Sequence, residues 1–301
     1  MKRQWKLYLL ALGFLLGAAS NILADGPTFT AIDYPGAAST QAWGINNRGD
    51  IVGYYTLADK STHGFLLASD GNFTSIDFAG AAYTLANAIG PSGDIVGEYA
   101  MTVDGSGPHH GFLRTSDGNL TSFDYPSAVT SGGTGISSRG DIVGYYKLAD
   151  NLNHGFLLSG GGFTSIAFPG ALQGSLSGIN PQGDITGTYR SADNVVHGFL
   201  LSDGDFTSIN VPDATYTNTT GIDARGDIVG RYLDAANVSH GYLLRDGQLT
   251  TINFLGATFT GLTAMNKSGD IVGRYSSPDG VFHGFLLTGF QPPCSTPGAA
   301  H

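Results

Sequence analysis

The sequence predicts an all-β fold, a six-bladed β-propeller of four-stranded antiparallel blades closed by the N-terminal strand. Three observations lead there: one unit of about 43 residues is written six times, each copy holds four short β-rich runs, and the chain starts and ends on complementary parts of the unit. The unit reads approximately F-T-S-I-D-[YF]-P-G-A, a variable stretch, G-I-N-x-x-G-D-I-V-G-x-Y, a second variable stretch, and H-G-F-L-L-x-x-D-G. Its Gly-Asp pair places Asp50, Asp94, Asp141, Asp184, Asp227 and Asp270 at intervals of 44, 47, 43, 43 and 43 residues. Such a period marks a repeat architecture.

In the first copy the four runs are Gln41 to Asn46, Asp50 to Tyr55, His63 to Ala68 and, after the turn Ser69-Asp70-Gly71-Asn72, Phe73 to Phe78. Each is rich in Ile, Val, Tyr, Phe and Leu and is bounded by Gly, Asn and Asp, as strands are. The second and third runs are apolar with little alternation, which implies burial on both faces, as in a sheet packed between two neighbouring sheets. Radial repetition supplies those neighbours and leaves only short edges open. The chain begins on Phe29 to Asp33, equivalent to the outermost strand, and ends on His283 to Leu287, equivalent to the third. Pairing the N-terminal strand with the three strands from Gly261 to Leu287 completes a mixed last blade. The rival architecture, an open β-solenoid, needs end caps that the sequence lacks.

The first 24 residues carry Lys2, Arg3 and Lys6, an apolar run from Leu7 to Ala19 and then small residues, the layout of a secretory signal peptide. Residues 25–290 form the repeat domain and 291–301 a flexible Pro-rich tail holding Cys294, the single cysteine. With one thiol no intramolecular disulfide exists, so a core must hold the fold. The leader takes three of the 14 basic side chains and none of the 24 acidic ones, leaving 11 against 24 and a formal charge of −13. That balance opposes nucleic acid and anionic membranes as partners. The expected protein is secreted, extracellular or periplasmic, with no membrane insertion of the mature chain.

The hairpin recurs at Gly44 to Gly53, Ala88 to Gly97, Gly135 to Gly144, Gly178 to Gly187, Gly221 to Gly230 and Ala264 to Gly273. Coupled to a His-led strand, it resembles the bacterial extracellular HAF-repeat family. The tripeptide departs from the family's His-Ala-Phe: it reads His-Gly-Phe at five sites and His-Gly-Tyr at His240. The resemblance implies an exported, propeller-like repeat protein and brings no established activity.

Recurrent polar residues read as structure. His63, His110, His154, His197, His240 and His283 open the third strand of every copy, which lies at least ~9.6 Å from an axis when strands are about 4.8 Å apart. Zinc needs nitrogens at about 2.0–2.1 Å, so no shared metal is expected. Each imidazole is expected to bond backbone or hydroxyl near its own blade's Tyr55, Tyr99, Tyr146, Tyr189, Tyr232 or Tyr275. The repeated Asp residues are expected to cap turns. No G-x-S-x-G elbow, H-E-x-x-H, P-loop, Rossmann fingerprint or calcium loop occurs, and no cofactor is expected.

Specificity is therefore sought where copies differ. Tyr83, Tyr216 and Phe259 share a column with Ser39, Thr130 and Gln173; Trp43 stands where other copies have Asn87, Thr134, Ser177, Thr220 and Thr263; the second copy has a longer loop, Met101 to His109, with an extra imidazole at its end. Aromatics beside hydroxyls and amides suit carbohydrate, so Trp43, Tyr83, His109, Tyr216 and Phe259 are the candidate ligand-binding residues. The expected function is a non-catalytic binding or interaction module for a glycan or an extracellular or envelope protein. The alternatives are a polysaccharide lyase or hydrolase using His109 with Asp104 or Glu98, and a structural surface component.

Overall fold

A computed structural model describes residues 26–291; the expected signal peptide, the tail and Cys294 lie outside the described residues. Twenty-four strands and no helix make up the described chain. After β1 (Thr28–Ile32) the strands fall into antiparallel groups of four. The first is β2 (Ser39–Ile45), β3 (Ile51–Thr56), β4 (Thr62–Leu67) and β5 (Phe73–Ile76). The second is β6 (Tyr83–Ile89), β7 (Ile95–Ala100), β8 (His110–Arg114) and β9 (Leu120–Phe123). The third is β10 (Thr130–Ile136), β11 (Ile142–Lys147), β12 (Asn153–Ser159) and β13 (Gly162–Ile166). Next come β14 (Gln173–Ile179), β15 (Ile185–Arg190), β16 (Val196–Ser202) and β17 (Asp205–Ile209). They are followed by β18 (Tyr216–Ile222), β19 (Ile228–Leu233), β20 (Ser239–Arg245) and β21 (Gln248–Ile252). The remaining three, β22 (Phe259–Met265), β23 (Ile271–Ser276) and β24 (Phe282–Thr288), pair in order, and β1 lies antiparallel to β24 with Phe29 opposite Leu287.

The first strand of each group faces an axis. These inner strands pack side by side in chain order, and β22 packs back on β2. Hydrogen bonds join the ends of the chain there, from Thr263 Oγ1 to the Ala42 carbonyl at 3.0 Å and from the Lys267 amide to Asn47 Oδ1 at 3.0 Å.

The repeated sentence is legible as packing. The glycine of I-V-G lies opposite the aromatic of H-G-F, as in Gly53 and Phe65. A Cβ on Gly53 would stand 2.0 Å from the Gln41 carbonyl and 2.9 Å from the Phe65 ring, so the third-strand aromatic occupies the place of that side chain. Phe65, Phe112, Phe156, Phe199, Tyr242 and Phe285 are almost fully buried in this way. The Tyr near the end of the second strand is clamped between two rings in five of the groups. Tyr34 stacks on Tyr55 at 3.6 Å, and the same contact recurs in Phe78 on Tyr99, Tyr125 on Tyr146, Phe168 on Tyr189 and Phe254 on Tyr275. The motif histidine takes the other face, with centroids 5.0–5.3 Å away. The Ser or Thr of the outer strand meets the phenol, as Ser75 meets Tyr55 at 3.1 Å.

Strand ends differ from expectation by one or two residues, as where β2 begins at Ser39 rather than Gln41, and two of the differences have identifiable reasons. The fourth strand stops at Ile76 rather than Phe78, because Asp77 turns to His63 and Phe78 turns to stack on Tyr99. Strand β2 stops at Ile45, because the Asn46 side chain leaves the ladder to accept the Arg48 and Asp50 amides at 2.9 and 3.0 Å.

Strand β1 carries Ile32, 5% exposed, and Phe29, which packs edge-on against Phe254 and Phe285 at 5.1 and 5.3 Å. Truncating Ile32 to Ala is expected to cost about 2–4 kcal/mol, and deleting Thr28–Ile32 should expose the β24 edge and cause aggregation. Urea denaturation and light scattering check this; an unchanged midpoint in the deletion would show that the terminal ladder contributes nothing.

Candidate functional site

Every inner strand contains a β-bulge at the same place, a register shift between Ala42 and Gly44 in β2 and at the equivalent pairs in β6, β10, β14, β18 and β22. The bulged residues are Trp43, Asn87, Thr134, Ser177, Thr220 and Thr263, the column singled out for its tryptophan. A bulge re-aims a side chain, and all of these line one axial cavity of about 340 Å³. Four of them also stitch one group to the next, through Asn87 to Gly133 O, Thr134 to Leu176 O, Thr220 to Leu262 O and Thr263 to Ala42 O at 2.8–3.0 Å. Trp43 makes no such bond, and its Nε1 is buried without a partner. Below the bulges Ile45, Ile89, Ile136, Ile179, Ile222 and Met265 form an apolar belt shared with a smaller cavity of about 100 Å³ among the first-to-second-strand turns.

A second column supplies the charges. The residue after I-V-G is Tyr54, Glu98, Tyr145, Thr188, Arg231 and Arg274 in turn, and Glu98, Tyr145, Arg231 and Arg274 line the cavity. Around the ring this makes two unlike walls. On one, Tyr145 donates a hydrogen bond of 2.6 Å to Glu98 Oε2, while His109 Nδ1 lies 3.2 Å from Glu98 Oε1. Gly132 makes room for the pair, since a Cβ there would come within 2.2 Å of Glu98 Oε2. The other imidazole nitrogen meets the Gly105 carbonyl at 2.7 Å, and Tyr83 lies against the ring at 5.4 Å. Burial raises the Tyr145 phenol far above its ordinary value, with the Glu98 charge adding to the effect. The Glu98 carboxylate raises the His109 imidazole against the opposing pull of burial.

The facing wall is cationic. The Arg231 guanidinium lies over Tyr216 at 4.6 Å and Phe259 at 5.5 Å; Arg274 lies over Trp43 at 4.8 Å and Phe259 at 5.4 Å. Such contacts contribute about 0.5–2 kcal/mol each, more when desolvated. Arg274 also donates to Gln41 Oε1, and Arg231 to the Tyr216 hydroxyl at 3.3 Å. Among the described residues neither guanidinium lies within 4.0 Å of a carboxylate.

All five candidate residues thus stand at this cavity or its mouth, in two sets: Tyr83 and His109 beside Glu98, and Trp43, Tyr216 and Phe259 beneath the arginines. They are half-buried, and their faces are largely covered, Trp43 by Arg274 and by Tyr54 stacked at 6.1 Å. Aromatic rings open for stacking on a sugar, as the sequence implied, are therefore not what the site offers first; it offers charges seated on rings. Asp104 is not part of it, being turned outward to Ser106. Sequence reasoning missed Arg231, Arg274 and Tyr145, although their column differs from copy to copy and could have named them. The large apolar side chains left exposed, Met101, Val103, Val129, Leu152, Leu172, Val238 and Leu255, all lie in the loops of this same face.

The recurrent histidines lie on the third strands, away from the axis. Hydroxyl partners occur as expected in three copies, where Nε2 meets Ser61, Ser191 and Ser277, but the other partners are carboxylates and amides rather than backbone: Nδ1 meets Asp77, Asp124, Asn210, Asn253 and Asp33 in five copies. His154 lacks this contact because Ala167 replaces the acid, and it bonds Asp150 at 3.0 Å instead. The repeated Asp residues tie two turns together, as Asp50 holds both Asn46 and the Ser69 amide at 2.9 and 3.1 Å.

No family model and no curated protein matches the chain. Solved structures do resemble it. Putative TolB from Agrobacterium tumefaciens aligns with 82% of this chain and 89% of its own at 15% identity and a TM-score of 0.57. AofleA from Arthrobotrys oligospora aligns over 88% and 87% at 12% and 0.56. The Aleuria aurantia lectin in complex with Fucα1-6GlcNAc aligns over 87% and 98% at 12% and 0.51. TolB from Acinetobacter baumannii is matched over 64% of its length. The fold is a β-propeller. At these identities the likeness shows the fold alone. Among the described residues no helix is long and apolar enough to cross a membrane.

Two predictions follow from the imidazoles. His63→Ala, which loses contacts to Asp77 and Ser61, is expected to destabilise by about 0.5–1.5 kcal/mol more than His154→Ala in urea titrations; equal losses would show that ring stacking alone matters. His109 has its value raised on folding, so its stabilising contribution is complete below the unfolded value of about 6.5 and is lost as the pH rises through the folded one. The wild-type advantage over His109→Gln should be larger near about pH 6 than near about pH 9; an advantage growing with pH would contradict the pairing with Glu98.

Proposed function

We propose that this chain is an exported, six-bladed β-propeller of the HAF-repeat kind, its last blade completed by the N-terminal strand, and that it binds an extracellular ligand at the loop-face mouth of its axial cavity. One observation carries the reading: the residues that break the repeat, Trp43, Glu98, His109, Arg231, Arg274 and Phe259 among them, come from separate blades yet converge on one mouth. A scaffold requirement would repeat in every blade; a ligand's shape does not have that symmetry. Concave sites of about 300–1,000 Å³ with a few convergent polar groups are the usual form of small-ligand pockets, and 340 Å³ suits a monosaccharide or disaccharide unit. Carbohydrate is the ligand class favoured here, and the lectin likeness supports the scaffold's aptness for it.

A catalytic reading draws on one observation, the His109 imidazole 3.2 Å from Glu98 at the mouth of a cleft, a proximity that needs the imidazole, whose Nδ1 has no aligned hydrogen-bond partner, to turn before a proton can move. A screen of extracellular glycans and polysaccharides against residues 25–301, with product assay in parallel, separates the two. Binding without new reducing or unsaturated ends is expected. The double variant Trp43→Ala, Phe259→Ala should abolish binding while keeping the circular dichroism of the parent; normal binding by the folded variant would remove the mouth as the site.

A further inference from the structure

The cationic wall has a chemical consequence. Outside its leader the chain carries 24 acidic against 11 basic groups, yet two arginines face the same cavity from adjacent blades, both within 5.5 Å of the Phe259 ring centroid. Two guanidiniums so close repel each other, and burial adds to the cost, since it lowers the Arg274 value. Four other arginines are neutralised in place: Arg48 on Asp50 at 2.9 Å, Arg139 on Asp141 at 3.1 Å, Arg225 on Asp223 at 3.0 Å and Arg245 on Asp227 at 2.6 Å. Arg231 and Arg274 have only neutral acceptors and rings. Glu98, the one carboxylate lining the cavity, is turned to Tyr145 and His109.

We infer that the Arg231–Arg274 wall is an anion subsite, and that the ligand is a sugar acid whose single carboxylate lies between the two guanidiniums above Phe259. This rests on the proposed binding at the axial mouth and adds its chemistry. Two guanidiniums against Glu98 leave the cavity one positive charge in excess when His109 is neutral, which one carboxylate balances; a multiply charged group would meet Glu98 repulsion. Arginine presents paired N–H donors that match a planar carboxylate. The rest of the wall suits a hydroxylated ring, with Asn87, Ser175, Ser177 and Asn218 beside the apolar belt, and Asn218 Oδ1 is a buried acceptor without a donor. A cationic cleft in an acidic protein also focuses the field, drawing anions to one point of a surface that repels them elsewhere.

The test is calorimetry on residues 25–301 with D-galacturonate and D-glucuronate, each as monomer and short oligomer, against galactose, glucose and the uronate methyl esters. Uronates are expected to bind at least tenfold more tightly than their esters or the neutral sugars, with affinity falling as salt rises. Arg231→Gln and Arg274→Gln should each lose tenfold or more, whereas Arg231→Lys should retain part of the binding; parent-like melting shows that the variants fold. Neutral sugars binding as well as uronates, with loss in the Trp43→Ala, Phe259→Ala variant, would overturn the anion subsite and leave the mouth as the binding site. Uronate binding unaffected by either glutamine substitution would overturn the arginine assignment, and absence of uronate binding at millimolar concentration would overturn the ligand class.

Discussion

Crowding at the axis is the constraint on which this structure depends. Inner strands from every group converge there so tightly that a Cβ on Gly44 would stand 3.0 Å from the Ala88 Cα, and one on Gly135 3.1 Å from the Gly178 Cα. Only Gly or Ala fits this column. With no side chain able to fill it, the strand bulges at the residue before, and that residue is turned into the cavity. The same local distortion therefore packs the ring, supplies the hydroxyl or amide that stitches neighbours, and creates the positions from which a ligand can be read.

The outer parts of each blade obey a different logic. Aromatic, tyrosine and histidine form a three-ring stack that crosses from one group to the next, since the aromatic belongs to the connection leading in and the other two rings to the group itself. This couples neighbours at large radius while bulge-borne hydrogen bonds couple them near the axis. Where one contact is missing others remain: the fifth group has Val211 in place of the stacking aromatic, yet Thr220 still bonds Leu262 O. Redundancy of this kind frees a few positions, Trp43 among them, to give up a stitch and take another role.

Charge completes the separation between scaffold and site. Arg48, Arg139 and Arg225 sit in turns and are neutralised by the aspartates of those turns, a local solution available wherever backbone and carboxylate can meet. Inside the cavity the second strand presents its side chain to a ring of different neighbours. Glu98 finds a phenol from the next blade and an imidazole from its own loop. Arg231 and Arg274 find aromatic faces. The asymmetry lies in four residue types distributed over one repeated position, and it gives the axial mouth a direction that the fold itself lacks.

Much of this was written in the sequence. A repeated G-D-I-V-G hairpin and a His-led strand determine a four-stranded unit, because the turn residues and apolar runs act locally, and the phase of the repeat determines that Thr28–Ile32 serves the last strands of the chain. Even the choice of Trp43, Tyr83, His109, Tyr216 and Phe259 followed from position alone, as departures from a pattern. Their chemistry did not. That Trp43 and Phe259 would carry guanidiniums, that His109 would turn to Glu98 rather than to Asp104, and that Tyr145 would complete the carboxylate's shell depend on contacts between different strands and loops, the Tyr145–Glu98 and Trp43–Arg274 pairs joining separate blades. Strand pairing is a short-range property and can be read along the chain; the filling of an axial cavity is decided only when separate blades are brought round to face one another.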